Sequence, residues 1–368
     1  MKNKEDIKEI MDYLQTAEEK TLEFDNEAIT AAYQENNGTQ SLAIKILSVF
    51  GGILASLAFW KFLDITGLYN TKVGLLVFGT ICIAGAIWVN KKYDKIIIDT
   101  VSILSFIIGF LLLGSGLSSL FLFENINNDI NIIYVIFILI AFASMVIAQS
   151  YLLSFISILI INGSILTLII YNKGYDLIHI YVSVLALTLA YFYLKEAKII
   201  TINKALSKLY SPIRIGLTFS FLAGLISVGL TPLHKEGLIP MSPNYIWLSS
   251  VVIIAVIIYL LHTLFKVLNI TKILLKSVIY IFAILTLLPT VFSPAISGAI
   301  LLILLSFLVN YKTGFVLGII AFIYFISQYY YDLNFTLLTK SILLFSSGVL
   351  FLILYLFTHK KLTTNEKI

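Results

Sequence analysis

The sequence predicts an all-α fold, a polytopic integral membrane helix bundle of about twelve transmembrane helices. Three observations point there. Of the 368 residues, 59% are hydrophobic and only 12% charged, with a mean hydropathy of +0.98. Soluble domains carry about a quarter charged residues, so this chain has too little polar surface to cover itself in water. Apolar runs long enough to cross hydrocarbon, roughly 20 residues each, recur from residue 42 onward. Basic residues gather in alternate connections between those runs, as the positive-inside bias requires.

The first 41 residues hold ten acidic residues and four lysines. Ile7, Ile10, Met11, Leu14 and Ala17 recur at helical spacing, which predicts a short amphipathic helix. A second follows over Asn26 to Tyr33. This tail is either a solvated helical pair or a docking element for a membrane or cytoplasmic protein partner. Its negative charge disfavours binding to anionic headgroups. Asn37-Gly38-Thr39 matches a glycosylation sequon, but it falls on the predicted cytoplasmic side. The first apolar run is too long for a signal-peptide core and reads as a retained signal anchor.

The expected spans are 42–63, 73–90, 96–123, 130–148, 151–171, 177–194, 213–231, 246–268, 273–290, 295–310, 314–331 and 336–358. The run 130–171 is about twice the length of one crossing, so it folds as a hairpin at Gln149-Ser150. The run 273–310 is also too long, and Pro289 and Pro294 bracket its break. Its second half is short, which leaves a re-entrant hairpin open and the count between ten and twelve. Span 96–123 is overlong and is expected to tilt or loosen at Gly114-Ser115-Gly116.

Residues 195–212 form the longest cytoplasmic connection, an expected interfacial helix in which lysines alternate with isoleucine and leucine. It divides the chain into a first membrane half, 42–194, and a second, 213–358, followed by a cytoplasmic tail at 359–368. Tyr175-Asp176-Leu177 before span six echoes Tyr331-Asp332-Leu333 before span twelve. The halves can therefore be read as a 6+6 parallel pseudo-repeat, although chance also supplies three-residue matches. With both termini inside, 20 of the 25 basic residues are cytoplasmic; only Lys61, Lys72, Lys173, Lys235 and Lys340 fall outside.

Charges within a bilayer are functional candidates by default, and few lie deep here. Asp99 is one turn from Lys95, while Lys61, Asp64, His262 and Lys266 are near span ends. The outer surface gathers Lys173, Asp176, His179, Tyr329, Tyr330, Tyr331, Asp332 and Lys340. Asp176, His179, Tyr331, Asp332 and Lys340 are read as a polar vestibule with a titratable histidine. The plainer reading makes the two aspartates N-caps and the tyrosines an interfacial aromatic belt. At mid-membrane, Asn162 and Ser164 flank Gly163, as a cavity-lining polar site or as glue between helices. Gly51 with Ala55 and Gly52 with Ser56 have the spacing of close helix contacts. Phosphate-loop, HExxH and GxSxG motifs are absent. Four scattered histidines and one cysteine argue no metal cluster, no cofactor and no disulfide framework. The scattered basic residues make no nucleic-acid footprint.

The stretch Tyr329-Tyr330-Tyr331-Asp332-Leu333, then Thr336 to Ser341, Gly348 and the opening Ile46 to Gly52 carry a likeness. Through these residues the chain resembles a family of uncharacterised bacterial polytopic membrane proteins, whose genes often neighbour those for GDYXXLXY-type proteins. The resemblance implies the bacterial cytoplasmic membrane and no established activity. Three classes of function stay open. A transporter-like or permease-like protein fits twelve spans. A structural or accessory subunit of an envelope complex fits the few buried charges and the acidic tail. A membrane enzyme on a lipid-linked substrate would use Asp176, His179, Asp332 and Lys340, and an enzyme is the less favoured class.

Overall fold

The computed structural model describes residues 71–92, 96–124, 129–229, 245–267 and 272–332, with scattered positions over 51–67 and 338–352. The acidic tail, Gly52, Ser56 and Lys340 lie outside the described residues. Every regular element among those residues is helical. The long helices are α1 (Lys72–Lys92), α2 (Ile96–Glu124), α3 (Asp129–Ala148), α4 (Tyr151–Tyr171) and α5 (Tyr175–Leu194). A one-turn α6 (Glu196–Ile200) leads into α7 (Lys204–Gly229) and α8 (Ile246–Val267). Then come α9 (Ile273–Leu287), a 3₁₀ turn (Leu288–Phe292), α10 (Pro294–Leu308) and α11 (Lys312–Asp332). Eight of the described helices are long and apolar enough to cross a membrane.

Large apolar side chains such as Trp88, Leu111, Leu139, Ile281 and Ile323 stand exposed on the outside of the bundle. A soluble monomer rarely tolerates so wide an apolar surface; lipid is the solvent that does. With lipid outside, apolar burial does not drive helix association, so close packing and small residues must. The seam between α1 and α2 shows how. A Cβ on Gly109 would lie 2.6 Å from Ile83 Cγ1 and 2.9 Å from the Gly79 carbonyl oxygen. Ser105 Oγ donates across the same seam to the Cys82 carbonyl at 3.1 Å. Asn90 Nδ2 donates to Asp99 at 2.8 Å, so a neighbouring helix engages this carboxylate. By contrast, a Cβ on Gly51 meets nothing within 4 Å. Among the described residues, a close small-residue contact joins the second and third expected spans.

The hairpin expected at Gln149-Ser150 is present. Gln149 takes the left-handed conformation, with φ of 49°. Ser150 caps α4 by accepting from the Leu153 amide at 3.3 Å. The run 273–310 also divides near its prolines, into α9, the 3₁₀ turn and α10. Helix α9 and the 3₁₀ turn run antiparallel to α8, Tyr280 meeting Phe265 near the end of α8 and Thr290 meeting Ser250 near its start. The stretch 195–212 differs from a single interfacial helix. Asn203 Oδ1 accepts from the Leu206 amide at 2.7 Å and starts α7 there, and α7 then continues through Pro212.

Among the described residues, a small cluster of Leu63, Leu75, Ile108 and Leu112 accompanies two wider packed regions. One joins α1, α2, α3 and α4 around Phe106, Phe110, Ala141 and Leu153. The larger joins α5, α7, α8, α10 and α11 around Val182, Leu189, Phe221, Leu225, Ile253 and Leu302. Gly216 of α7 sits on Ile158 of α4 and connects them. Helix α10 is the centre of the larger region, with ten of its fifteen residues buried.

Candidate functional site

The larger region carries a polar group at each end, buried at one and half-buried at the other. Helix α5 begins after Gly174 and places Asp176 and His179 in its first turns. His179 is 1% exposed, and its Nδ1 lies 2.8 Å from Ser249 Oγ of α8, one atom donating according to the tautomer. Ser183 Oγ donates to the His179 carbonyl at 2.7 Å. The adjacent Ser250 Oγ donates to the Thr290 carbonyl in the 3₁₀ turn at 3.2 Å. Asp176 Oδ1 accepts from the Tyr245 amide at 3.3 Å, which ties the heads of α5 and α8 together. Gln328 Nε2 of α11 donates to the Gly229 carbonyl at 2.8 Å and satisfies an end of α7.

This arrangement distributes the sequence-predicted residues unequally. Asp176 and His179 share one helix head, with Asp176 inside the first turn while Gly174 holds the N-cap position. Tyr331 is 77% exposed and packs edge-to-face on Tyr330, with ring centroids 5.7 Å apart. Asp332 closes α11; its side chain, like Lys340, lies outside the described residues. Asn162 Nδ2 donates to the Ile158 carbonyl at 3.0 Å. Its Oδ1 accepts from Tyr181 OH of α5 at 3.3 Å, a bond between neighbouring helices. Ser164 is buried on the same helix.

The second polar group centres on Arg214, which in the sequence counts only as one more cytoplasmic charge. Its Nη1 lies 3.2 and 3.3 Å from the two carboxylate oxygens of Glu196. The guanidinium carbon is 4.2 Å from the Tyr311 ring centroid and 5.1 Å from that of Tyr210. Tyr193 lies farther off, at 6.0 Å. Local backbone builds this cage. Asn310 adopts φ of 55°, and the bonds Tyr311 N to Ser306 O and Asn310 N to Phe307 O close a Schellman cap on α10. That cap delivers Tyr311 to the arginine. Gly314 admits the approach, because a Cβ there would lie 2.6 Å from the Tyr311 ring and 2.9 Å from the Tyr193 hydroxyl. Tyr193 OH and Thr218 Oγ1 share a buried bond of 3.1 Å, and Tyr210 OH donates to the Phe192 carbonyl at 3.0 Å. One signal for this group does stand in the sequence: Arg214 is the single arginine, every other one of the 25 basic residues being lysine.

Ser249→Val is expected to leave the His179 ring nitrogen buried and unpaired, at a cost of about 1–3 kcal/mol. Ser249→Thr keeps the hydroxyl and is expected to cost less. Thermal melts of the detergent-solubilised protein check the difference, and equal melting of the two variants would count against a structural His179–Ser249 bond.

Long apolar helices with lipid-facing exteriors, packed around two internal polar groups, make this a polytopic α-helical membrane protein. The chain belongs to the family described as Domain of unknown function (DUF4401), whose model matches residues 41–361. No curated protein and no solved structure matches it.

Proposed function

We propose that this chain is a transporter-like membrane protein whose path runs between α5, α7, α8 and α10. A single observation carries the reading: two polar groups, one buried around His179 and one half-buried around Arg214, sit at opposite ends of the same helices, with an apolar layer between them. His179 and Tyr193 are 14 positions apart on α5, about 21 Å along the axis. Val182, Ala186, Leu189, Phe221 and Leu225 fill the interval. A carrier closed at both ends has this layout. In this reading Arg214–Glu196 is the lock at the lysine-rich end, and Asp176 and His179 line the opposite mouth. Tyr331, Asp332 and Lys340 are its rim.

The wider frame belongs to the same proposal. About twelve spans with both termini in the cytoplasm are supported by the lysine distribution and by the alternating directions of α5 to α11; the 6+6 arrangement rests on the Tyr-Asp-Leu echo, and the bacterial inner membrane on the family resemblance. The acidic tail is then free to meet a cytoplasmic partner.

Cysteine accessibility tests the carrier directly, because Cys82 is the one native cysteine. In a Cys82→Ala background, Ser249→Cys is expected to react with an impermeant maleimide from one side. Thr218→Cys is expected to react from the other. Protection of both positions from both sides, under every condition that supports growth, would sink the carrier and favour the accessory-subunit reading.

A further inference from the structure

On the outer wall of the larger region, α5 and α8 leave an apolar groove of about 500 Å³. Small side chains make it: Ala190 is buried in its floor, and Ala255 leaves the α8 wall low. Leu187, Val251 and Val256 continue the apolar lining. The volume falls within the usual range for ligand sites, roughly 300–1,000 Å³. Lys195 stands at one end, flanked by Tyr191 and Tyr259, two exposed tyrosines of the kind that settle at headgroup level.

The charge at that end is unbalanced in a specific way. Glu196, the next residue, is turned away to Arg214 at 3.2 Å, while Lys195 and Lys198 are exposed. The groove therefore presents a chain-shaped apolar trough ending in positive charge, on a surface that faces lipid. We propose that it seats an anionic glycerophospholipid, with one acyl chain against Ala190 and Ala255 and the phosphate on Lys195. A zwitterionic lipid offers the same chain but brings a cation to an already positive mouth. A water-soluble anion gains nothing from the trough. The site lies outside the helix core assigned to transport, and it stands whether or not the chain moves a substrate.

The test uses the full chain reconstituted in nanodiscs of equal phosphatidylglycerol and phosphatidylcholine with matched chains, released into mild detergent. Native mass spectrometry then reads the lipids retained. The wild type is expected to retain phosphatidylglycerol in preference. Lys195→Gln should lower that preference about fivefold, one interfacial lysine's contribution, without reducing the total lipid count. Ala255→Phe, at an exposed position, should lower retention of both lipids. Lys312→Gln, at the same end but outside the groove, should leave the preference intact. Equal retention of the two lipids by the wild type overturns the proposal, and so does a preference that survives Lys195→Gln. A dimer that Ala255→Phe abolishes, with retained lipid unchanged, would assign the groove to a second copy and overturn it equally.

Discussion

Arg214→Lys is expected to lower the melting temperature of the purified protein almost as far as Arg214→Ala. Lysine keeps the charge but has no plane to lay on Tyr311 and no fork for the Glu196 carboxylate. The stacked guanidinium contributes about 0.5–2 kcal/mol. The ion pair adds less than a fully buried one, because Glu196 is 35% exposed against 13% for Arg214 and solvent screens it. A total of about 2 kcal/mol is expected for alanine, with lysine recovering the smaller part. Glu196→Gln, which leaves the stack in place, is expected to cost under about 1 kcal/mol. If Arg214→Lys melts like the wild type, the tyrosine cage is not reading the guanidinium plane. In the carrier reading the same substitution also unlocks one end, so Thr218→Cys should label faster in that background.

Gly109→Ala is expected to destabilise the protein by about 1–3 kcal/mol, while Gly85→Ala on the adjoining helix changes little. The added atom is the same and its surroundings are opposite. At Gly109 it meets the backbone of Gly79 at 2.9 Å, which no rotamer change relieves; at Gly85 nothing lies within 4 Å. Leucine at Gly109 should be worse still, since it would hold α1 and α2 apart along the whole seam. Melting in detergent ranks the variants, and limited proteolysis of the 93–95 connection reports whether the pair has separated. Equal behaviour of Gly85→Ala and Gly109→Ala would mean that the close approach does not hold the helices together.

Most of the element boundaries were legible in the residues. The expected spans 73–90, 130–148, 151–171 and 246–268 match α1, α3, α4 and α8 to within two residues. The break at Gln149-Ser150 is where an overlong run predicts it. The start of α7 is not legible in the sequence, because Asn203 is one polar residue in a polar connection and only the fold shows its side chain capping Leu206. In the site, His179 and Asp176 stood out as polar residues at a span head. Their partners Ser249 and Tyr245 did not, being about 70 positions away in a segment with no unusual composition. In the sequence Arg214 is one basic residue in a lysine-rich connection, and nothing there announces the tyrosines around it.

What the sequence determined by itself is whatever one segment decides alone. An apolar run of sufficient length enters lipid whatever its neighbours do, a proline or a polar pair divides it, and lysines orient it. Which side of each helix faces inward was left to the tertiary structure. In water that choice is written as amphipathic periodicity. In lipid the outside is as apolar as the inside, so buried Phe106 and exposed Leu111 look alike in sequence. Only packing distinguishes them. Gly79 meeting Gly109, His179 meeting Ser249 and Arg214 meeting Tyr311 are pairings between segments, and they exist only once the helices have chosen their neighbours.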